Sequence, residues 1–386
     1  MQKKTIRAAE EIFLAAFFIV AISLPLGLLL IRGEGTPAWE NRRLAEFPAR
    51  PTSASEAFHL PRMLFEYFKD HFALRADLIR WQATAKVGWL RSSSSPEVLL
   101  GKDGWLFHSG EKEVELFSGS EPFTSEELEQ WRLSLEGIRD WLKPSGATFV
   151  LTFTPEKQTI YPEQLPGSLI RMREESRQDQ LIEYLKKHSD IRVVDLRPAL
   201  REAKTANQIY FRTDTHWNDL GAFTAYRVLA AELGRDFKAI QPMSASDVEV
   251  YAAPRSGDLA GMLGLRGVMT EAGVKLRVKQ PHARLEGNCG DMGQCVSERT
   301  DDDALPHLVM YRDSFSSYMI PFVAEHFSRA VYVWDIKWKF SPALVEAERP
   351  DVVVLEMVER NLMRPPPSAP PDARALSGAR GETPKD

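Results

Sequence analysis

The chain has 386 residues, with 49 Lys and Arg against 54 Asp and Glu and a formal net charge of −5. Hydrophobic residues make up 44% and charged residues 27%, the balance of a globular protein with a sizeable core. The mild acidity, and the lack of any long Lys/Arg block, argue against nucleic acid as a partner.

The first element is N-terminal. "MQKKTIRAAEE" carries Lys3, Lys4 and Arg7, and the uncharged run Ile12 to Ile31 follows it. About 20 residues at 1.5 Å each span about 30 Å, one hydrocarbon core, and Pro25 and Gly27 are tolerable there. The basic leader predicts a cytoplasmic N-terminus, an inner-membrane anchor through residues 12–31 and a periplasmic remainder. A cleaved signal peptide is the competing reading, although its apolar region is usually shorter and "IRGEGTPAW" offers no good A-x-A site. The expected division is 1–35 as cytoplasmic stub and anchor, 36–95 as linker and helical region, and 96–362 as the main domain. Within that domain about 237–305 reads as a Gly-rich insertion, and 363–386 as a disordered Pro-rich tail.

After the linker, "EAFHLPRMLFEYFKDHFALRADLIRWQATAKVGWL" has apolar residues at helical spacing and predicts one or two helices packing on the main domain. "EVLLGKDGWLFH" predicts strand, turn, strand, turning at Lys102-Asp103-Gly104. "TSEELEQWRLSLEGIRDWLKPSG" predicts a helix capped by Thr124 or Ser125. Beyond it the strands are "ATFVLTFTP", "IRVVDL", "LPHLVMYRDSF", "RAVYVWDI" and "DVVVLEMVE". Between them the helices are "QDQLIEYLKKH", "LGAFTAYRVLAAEL", "SSYMIPFVAEHF" and "SPALVEAERP". Strands apolar throughout predict a parallel sheet covered on both faces, and their alternation with helices predicts an α/β doubly wound fold.

The two cysteines, Cys289 and Cys295 in "GNCGDMGQC", suit a small disulfide in an oxidising compartment. Two free thiols are the alternative. Zinc is disfavoured, since there is no second cysteine pair and no nearby His.

Two stretches carry candidate chemistry. "YRDSFSSYMI" places Asp313-Ser314 between a strand and a helix, where ligands of open α/β sheets bind. Ser314 Oγ can serve there as a nucleophile and its N–H can stabilise an oxyanion. The plainer reading of either residue is an N-cap. "RTDTHWNDLGA" supplies Asp214 and His216, two residues apart, as an orienting acid and a base. Here too the plainer readings are a helix cap and a structural histidine. A metal on Asp214 and His216 needs further ligands, and His188 and His282 are not placed to provide them. Trp39, Trp105, Trp334 and Trp338 could stack on sugars, though core or interface positions are commoner for such residues.

The chain resembles the alginate O-acetyltransferase family, the AlgJ/AlgX-type proteins with an SGNH-hydrolase-like domain. The resemblance rests on "ENRRLAEFP", "YFKDHFALR", "GKDGWLFH", "TPEKQTIYPEQLP", "RTDTHWNDLGA", "SGDLAGML" and "YRDSFSSYMIPFVAEHF", in family order from Glu40 to Phe327. It implies Ser314 as nucleophile, His216 as base and Asp214 as orienting acid, in a permuted order with Asp and His before Ser. It implies no cofactor, a polysaccharide acceptor, and a membrane-bound O-acyltransferase that delivers acetyl across the membrane. One departure stands out: Arg312 occupies the position where SGNH enzymes usually have glycine. Arg312 could bind an anionic substrate or pair with an acid. Asn218, Lys157, Tyr161 and Tyr311 are the other candidates for oxyanion or substrate contacts. An acetyl esterase and a non-catalytic polysaccharide-binding subunit are the alternative functions.

Overall fold

The structure, a computed structural model, describes residues 11–21, 23–24, 27, 44–71, 74–290, 293–302, 304–335 and 337–370. Residues 11–21 are helical, and most of the rest of the apolar run, like Trp39, lies outside the described residues. Among the described residues no helix is long and apolar enough to cross a membrane.

The chain divides into two compact units, Met1–Ser94 with Gly261–Arg266, and Ser95–Ala260 with Gly267–Asp386. Within the first, helices α1 (Ala54–His71) and α2 (Arg75–Thr84) are followed by a π turn, Ala85–Trp89. The Ala45 N–H donates to Asp70 Oδ2 at 3.0 Å, and Phe47 meets Tyr67 edge-on at 5.1 Å, which fastens the end of the linker along α1.

The second unit begins with a hairpin of β1 (Val98–Leu100) and β2 (Leu106–His108). Asp103 (φ 50°) and Gly104 (φ 78°) turn it, in the left-handed region that Gly and Asp reach most readily. Helix α3 (Glu113–Ser118) follows, then α4 (Ser125–Leu142). Thr124 caps α4 in a reciprocal box with Glu127, satisfying two amides that a helix start leaves orphaned.

The remaining elements in chain order are β3 (Thr148–Thr154), α5 (Lys157–Ile160), α6 (Arg177–His188), β4 (Arg192–Asp195), α7 (Arg197–Ala203) and α8 (Asp219–Leu233). Next come β5 (Val248–Ala252), α9 (Asp258–Met262), β6 (Val274–Val278), β7 (Arg284–Gly287) and β8 (Cys295–Glu298). The chain then runs through β9 (His307–Arg312), α10 (Ile320–Val323), β10 (Arg329–Trp334), α11 (Pro342–Glu348) and β11 (Val352–Val358).

Among the described residues the central sheet has seven strands in the order β4-β3-β11-β9-β10-β8-β7. The five from β4 to β10 run parallel, as their apolar sequences imply. The sheet as a whole is mixed, which corrects the expectation of a purely parallel one. Strands β8 and β7 join antiparallel at the β10 edge, and both come from the segment read as an insertion. Strand β7 is exposed at all four residues, so it lacks the apolar run that marks a buried parallel strand. Strands β5 and β6 form a separate antiparallel pair.

Side chains alternate between two buried layers. Val150, Leu308, Met310, Val352 and Val354 face a cluster with Trp217, Phe223, Tyr226 and Phe315. Phe149, Leu151, Val309, Val353 and Leu355 face another with Trp131, Leu135 and Leu142 of α4 and Leu181 and Leu185 of α6. Doubly covered strands need apolar residues at every position, hence runs such as "DVVVLEM".

Two further expectations change. "SSYMIPFVAEHF" is not one helix but a 3₁₀ turn (Phe315–Tyr318), the single turn of α10 and a second 3₁₀ turn (Ala324–His326). Pro321, which has no N–H to donate, sits in the first turn of α10, where that N–H is not needed. The tail is not loose throughout. Ser134 Oγ on α4 donates to the Pro367 carbonyl, and Ala369 packs on the α4 cluster, while residues 371–386 lie outside the described residues.

Candidate active site

The carboxyl ends of β9 and β11 frame the site. Strand β9 ends at Arg312, and Asp313 and Ser314 form the turn beyond it. Asp313 is buried, its Oδ1 accepting from the Phe315 N–H at 3.0 Å and its Oδ2 from the Val358 N–H at 2.6 Å. Asp313 thus performs the capping, tying the turn to the end of β11 and leaving Ser314 Oγ for other partners. Among the described residues the Ser314 N–H has no acceptor.

Glu356, fully buried in β11, supports the same turn from below. Its Oε2 accepts from Ser316 Oγ (2.6 Å) and the Asp313 N–H (3.1 Å), and its Oε1 from Thr154 Oγ1 (2.5 Å). Burial, then the nearby Asp313 charge, pushes its pKa up to about 8.

Opposite Ser314 is a tight loop from Tyr210 to Trp217, closed by an antiparallel bridge between those two residues. Lys157 fills it, its ammonium donating to the carbonyls of Asp214 (2.6 Å), Phe211 (3.0 Å) and Arg212 (3.3 Å). Burial lowers the Lys157 pKa to about 8. Glu271 accepts from the Arg212 and Thr213 amides at 2.7 and 2.8 Å. Trp217 Nε1 donates to the Phe315 carbonyl at 3.0 Å, linking this loop to the serine turn.

The loop tip and the serine meet in one hydrogen-bonded line. His216 Nδ1 lies 2.7 Å from Asp214 Oδ1, and His216 Nε2 lies 2.8 Å from Ser314 Oγ. The Ser314 and Asp214 ends are 98 and 2 residues from His216 in the chain. Arg255 Nη2 donates to the second oxygen of Asp214 at 2.5 Å, and Arg255 Nη1 to the Tyr318 hydroxyl at 2.9 Å. Burial opposes the Asp214 charge, but the hydrogen bond from His216, then the charges of His216 and Arg255, hold its carboxyl well below the usual range. Burial likewise opposes the His216 charge, and the hydrogen bond and charge of Asp214, with Asp258, outweigh it and raise the His216 pKa. The arrangement can move a proton from Ser314 to His216 while Asp214 stays ionised.

The segment Arg255–Asp258 packs directly on this loop. The Gly257 N–H donates to Thr213 Oγ1 at 3.0 Å, and the Thr215 N–H donates to Asp258 Oδ1 at 2.7 Å. A Cβ on Gly257 would lie 2.2 Å from the Thr213 carbonyl oxygen, so only glycine fits. Asp214, His216 and Asp258 also present donor atoms within 4.8 Å of one another. That set is already engaged: Asp214 holds His216 and the Arg255 guanidinium, and a metal would have to displace a cation.

The auxiliary candidates are engaged in the frame around this line. Asn218 caps α8, its Oδ1 accepting from the Leu220 and Gly221 amides and its Nδ2 donating to the Gln208 carbonyl; neither Asp214 nor His216 is that cap. Tyr161 accepts from the Ile209 N–H at 3.0 Å. Tyr311 accepts from the Ser341 N–H at 3.0 Å and lies in the α4-side layer. Arg312 is buried and donates to the carbonyls of Cys289 and Gly293, to Ser317 Oγ and to the Asp313 carbonyl. Cys289 and Cys295 are joined in a disulfide, so Arg312 braces the serine turn against the disulfide loop. Lys157 shapes the Asp214 loop from inside. Trp105 and Trp338 are core residues, and Trp334 lies under the Arg312 guanidinium at 4.9 Å.

Arg255, Asp258, Glu271, Tyr318 and Glu356 were not anticipated. A signal for three of them was present, since Arg255 and Asp258 flank or lie within the "SGDLAGML" stretch and Tyr318 lies within "YRDSFSSYMIPFVAEHF".

A mixed α/β sheet with Ser, His and Asp converging at its carboxyl edge defines an SGNH-type domain. The chain belongs to the family described as "SGNH hydrolase-like domain, acetyltransferase AlgX", whose model matches residues 98–355. Among curated proteins it is 30% identical over 218 residues to the probable alginate O-acetylase AlgJ of Pseudomonas putida, covering 52% of each. It is 28% identical over 249 residues to that of Pseudomonas syringae, covering 64% of this chain and 60% of the relative. The chain thus spans between about half and three fifths of the length of these relatives. Among solved structures, the O-acetyltransferase domain of P. putida AlgJ matches at TM-score 0.49 and 22% identity, over 74% of this chain and 100% of that one. Bacillus cereus PatB1 matches at TM-score 0.49 and 16% identity, over 69% and 96%.

Proposed function

We propose that this protein is a polysaccharide O-acetyltransferase working through an acetyl-enzyme on Ser314. The observation that carries the reading is the unbroken line from Asp214 through His216 to Ser314 Oγ. His216 Nε2 takes the Ser314 proton as Oγ bonds to the acetyl carbonyl carbon. The Ser314 N–H faces the oxyanion, and the donor's leaving group departs with the proton from His216. In the second half, a sugar hydroxyl gives its proton to His216 and attacks the acetyl carbon. The bond to Ser314 Oγ breaks, and His216 returns the proton to Oγ. Asp214, kept ionised, stabilises the imidazolium in both halves.

The names of the AlgJ relatives support acetyl transfer to alginate or a related exopolysaccharide. Residues 12–31 would serve as an inner-membrane anchor with the catalytic domain in the periplasm. Acetyl would come from a membrane-bound O-acyltransferase, since acetyl-CoA is a cytoplasmic donor.

The test uses an activated acetyl ester, acid quench and intact mass on wild type and Ser314→Ala. One acetyl on wild type, absent from the variant, is the expected result. No adduct and no ester turnover would sink the reading and favour a non-catalytic subunit. Turnover to water that added oligosaccharide leaves undiverted would make the protein an esterase.

A further inference from the structure

The first unit leaves an apolar face exposed. Among the described residues, eight large apolar side chains between Phe58 and Leu90 are exposed, and only as many again are spread over everything beyond Leu90. Scattered exposed apolar residues are ordinary, whereas a concentration of them marks a surface that binds something.

Helix α1 is two-sided. At about 100° per residue, Phe58, Pro61, Leu64 and Phe65 fall on one face, and Ser55, His59, Arg62 and Glu66 on the other. Phe58 is 81% exposed and Phe65 62%, so the apolar face of the first turns of α1 is turned outward. In α2, Leu78 and Trp81 stand three residues apart and share a side, and both are exposed. Trp89 and Leu90, at the end of the π turn, are exposed as well, Trp89 at 84%.

Charge narrows the choice of occupant. Residues 54–91 carry six Lys and Arg against four Asp and Glu, in a chain that is acidic overall. One of the four acids, Asp70, is buried and accepts from the Ala45 N–H. From Arg75 to Arg91 there are four bases and one acid, Asp77. Asp77 pairs with Arg80 at 3.8 Å, and among the described residues neither Lys86 nor Arg91 has an acidic partner. Phe, Leu and Trp on one side of a helix, bordered by bases, is the composition of helices that lie in a membrane interface. Trp settles there at headgroup depth, and Lys and Arg meet anionic headgroups.

We propose that α1, α2 and the π turn form a docking surface for a lipid bilayer with anionic headgroups. Phe58, Phe65 and Trp81 enter the acyl boundary, and Arg62, Lys86 and Arg91 meet headgroup phosphates. Helix α1 starts 23 residues after Ile31. Delivery to the bilayer rests on the anchor reading under Proposed function; the lipid-binding face does not. A chain held both by the anchor and by this surface cannot swing freely, which keeps the second unit, joined at Ser95, close to the membrane.

The test reads lipid contact position by position in the full chain. Phe58→Cys, Trp81→Cys and, on the polar face, Glu66→Cys are labelled with an environment-sensitive fluorophore, the native cysteines being paired in the disulfide. Each protein is reconstituted at high lipid-to-protein ratio in phosphatidylcholine–phosphatidylglycerol vesicles, with and without bromine on the acyl chains. The expected result is bromine quenching at least about threefold stronger at positions 58 and 81 than at 66, as for an apolar face sunk below the headgroups. Melting curves check folding, and if one apolar-face variant does not fold the other carries the test. Equal quenching on the two faces overturns the inference. A blue shift on the apolar face without quenching overturns it too, because protein then covers that face. Alkaline carbonate separates the surface from the anchor. Quenched labels on a chain that carbonate extracts keep the lipid surface and remove the anchor; unquenched labels on a chain that resists extraction keep the anchor and overturn the surface.

Discussion

Arg255 Nη2 lies 2.5 Å from Asp214 Oδ2, on the oxygen opposite the one that meets His216. The carboxylate is therefore held between a guanidinium and an imidazole, and its orientation does not depend on His216 alone. Arg255→Gln should lower kcat on the order of tenfold in the acetyl-transfer assay, because Asp214 loses a charge-assisted bond that fixes its plane. Asp214→Asn should cost far more, on the order of 10⁴-fold by analogy with other triads. Equal losses for the two variants would show that Arg255 does more than hold Asp214.

The acidic limb of the pH profile should sit above the ordinary histidine value of about 6.5. His216 must be neutral to accept the Ser314 proton, and its pKa is raised by its bond and charge interaction with Asp214 and by Asp258. Activity should therefore be lost as pH falls through that raised pKa. Asp258→Asn removes one of the raising charges and should move the limb to lower pH. A pH series of kcat/KM on both proteins reads this directly.

Lys157 gives a separate prediction. Its ammonium meets three carbonyls of the Asp214 loop, so Lys157→Met leaves buried acceptors unmatched. Destabilisation of about 1–3 kcal/mol is expected for an unsatisfied group. The loss in kcat should exceed the change in KM, since the side chain acts on the loop that carries Asp214 and His216. Urea unfolding and steady-state kinetics on the same sample check both parts.

Glu356 should make stability fall with pH. Its folded pKa is pushed up to about 8, whereas an unfolded glutamate titrates near 4.3. Between those values the folded state binds the extra proton, so raising pH through this window opposes folding. Glu356→Gln mimics the protonated form, and its melting temperature should decline less than that of wild type between pH 5 and 8. Parallel decline in the two proteins would show that Glu356 is ionised in the fold.

Removing the disulfide should reach the serine turn. Cys289–Cys295 closes a loop whose Cys289 and Gly293 carbonyls accept from Arg312, and Arg312 precedes Asp313-Ser314. The double change to serine should cost about 2–3 kcal/mol by the chain-entropy argument and also slow acetyl-enzyme formation. Thermal melts and the intact-mass time course, with and without reductant for wild type, report the two effects.

That Asp214, His216 and Ser314 come together was legible because they stand in stretches whose order along the chain carries the family resemblance. The helpers were not. Asn218, Lys157, Tyr161, Tyr311 and Arg312 are polar residues near the right motifs, but their donors and acceptors are taken up by backbone groups. Residue type shows what a side chain can bond, not which orphaned amide or carbonyl claims it. Arg255 has the opposite character, being an ordinary arginine in a Gly-rich segment until folding brings it to Asp214. The parallel core of the sheet was visible in uniformly apolar strands. Strands β7 and β8 were hidden because an edge strand need bury little, and β7 buries none of its four residues.

The approach of Gly257 to the Thr213 carbonyl means that two backbones touch where the Asp214 loop is braced. In a saturation-mutagenesis screen Gly257 should therefore score as intolerant as the triad itself, alanine included, although it contributes no reactive atom. A side chain there would also meet the Asp214 Cβ, at 2.5 Å. The genetic footprint of this site will accordingly outline a shape as well as a set of functional groups.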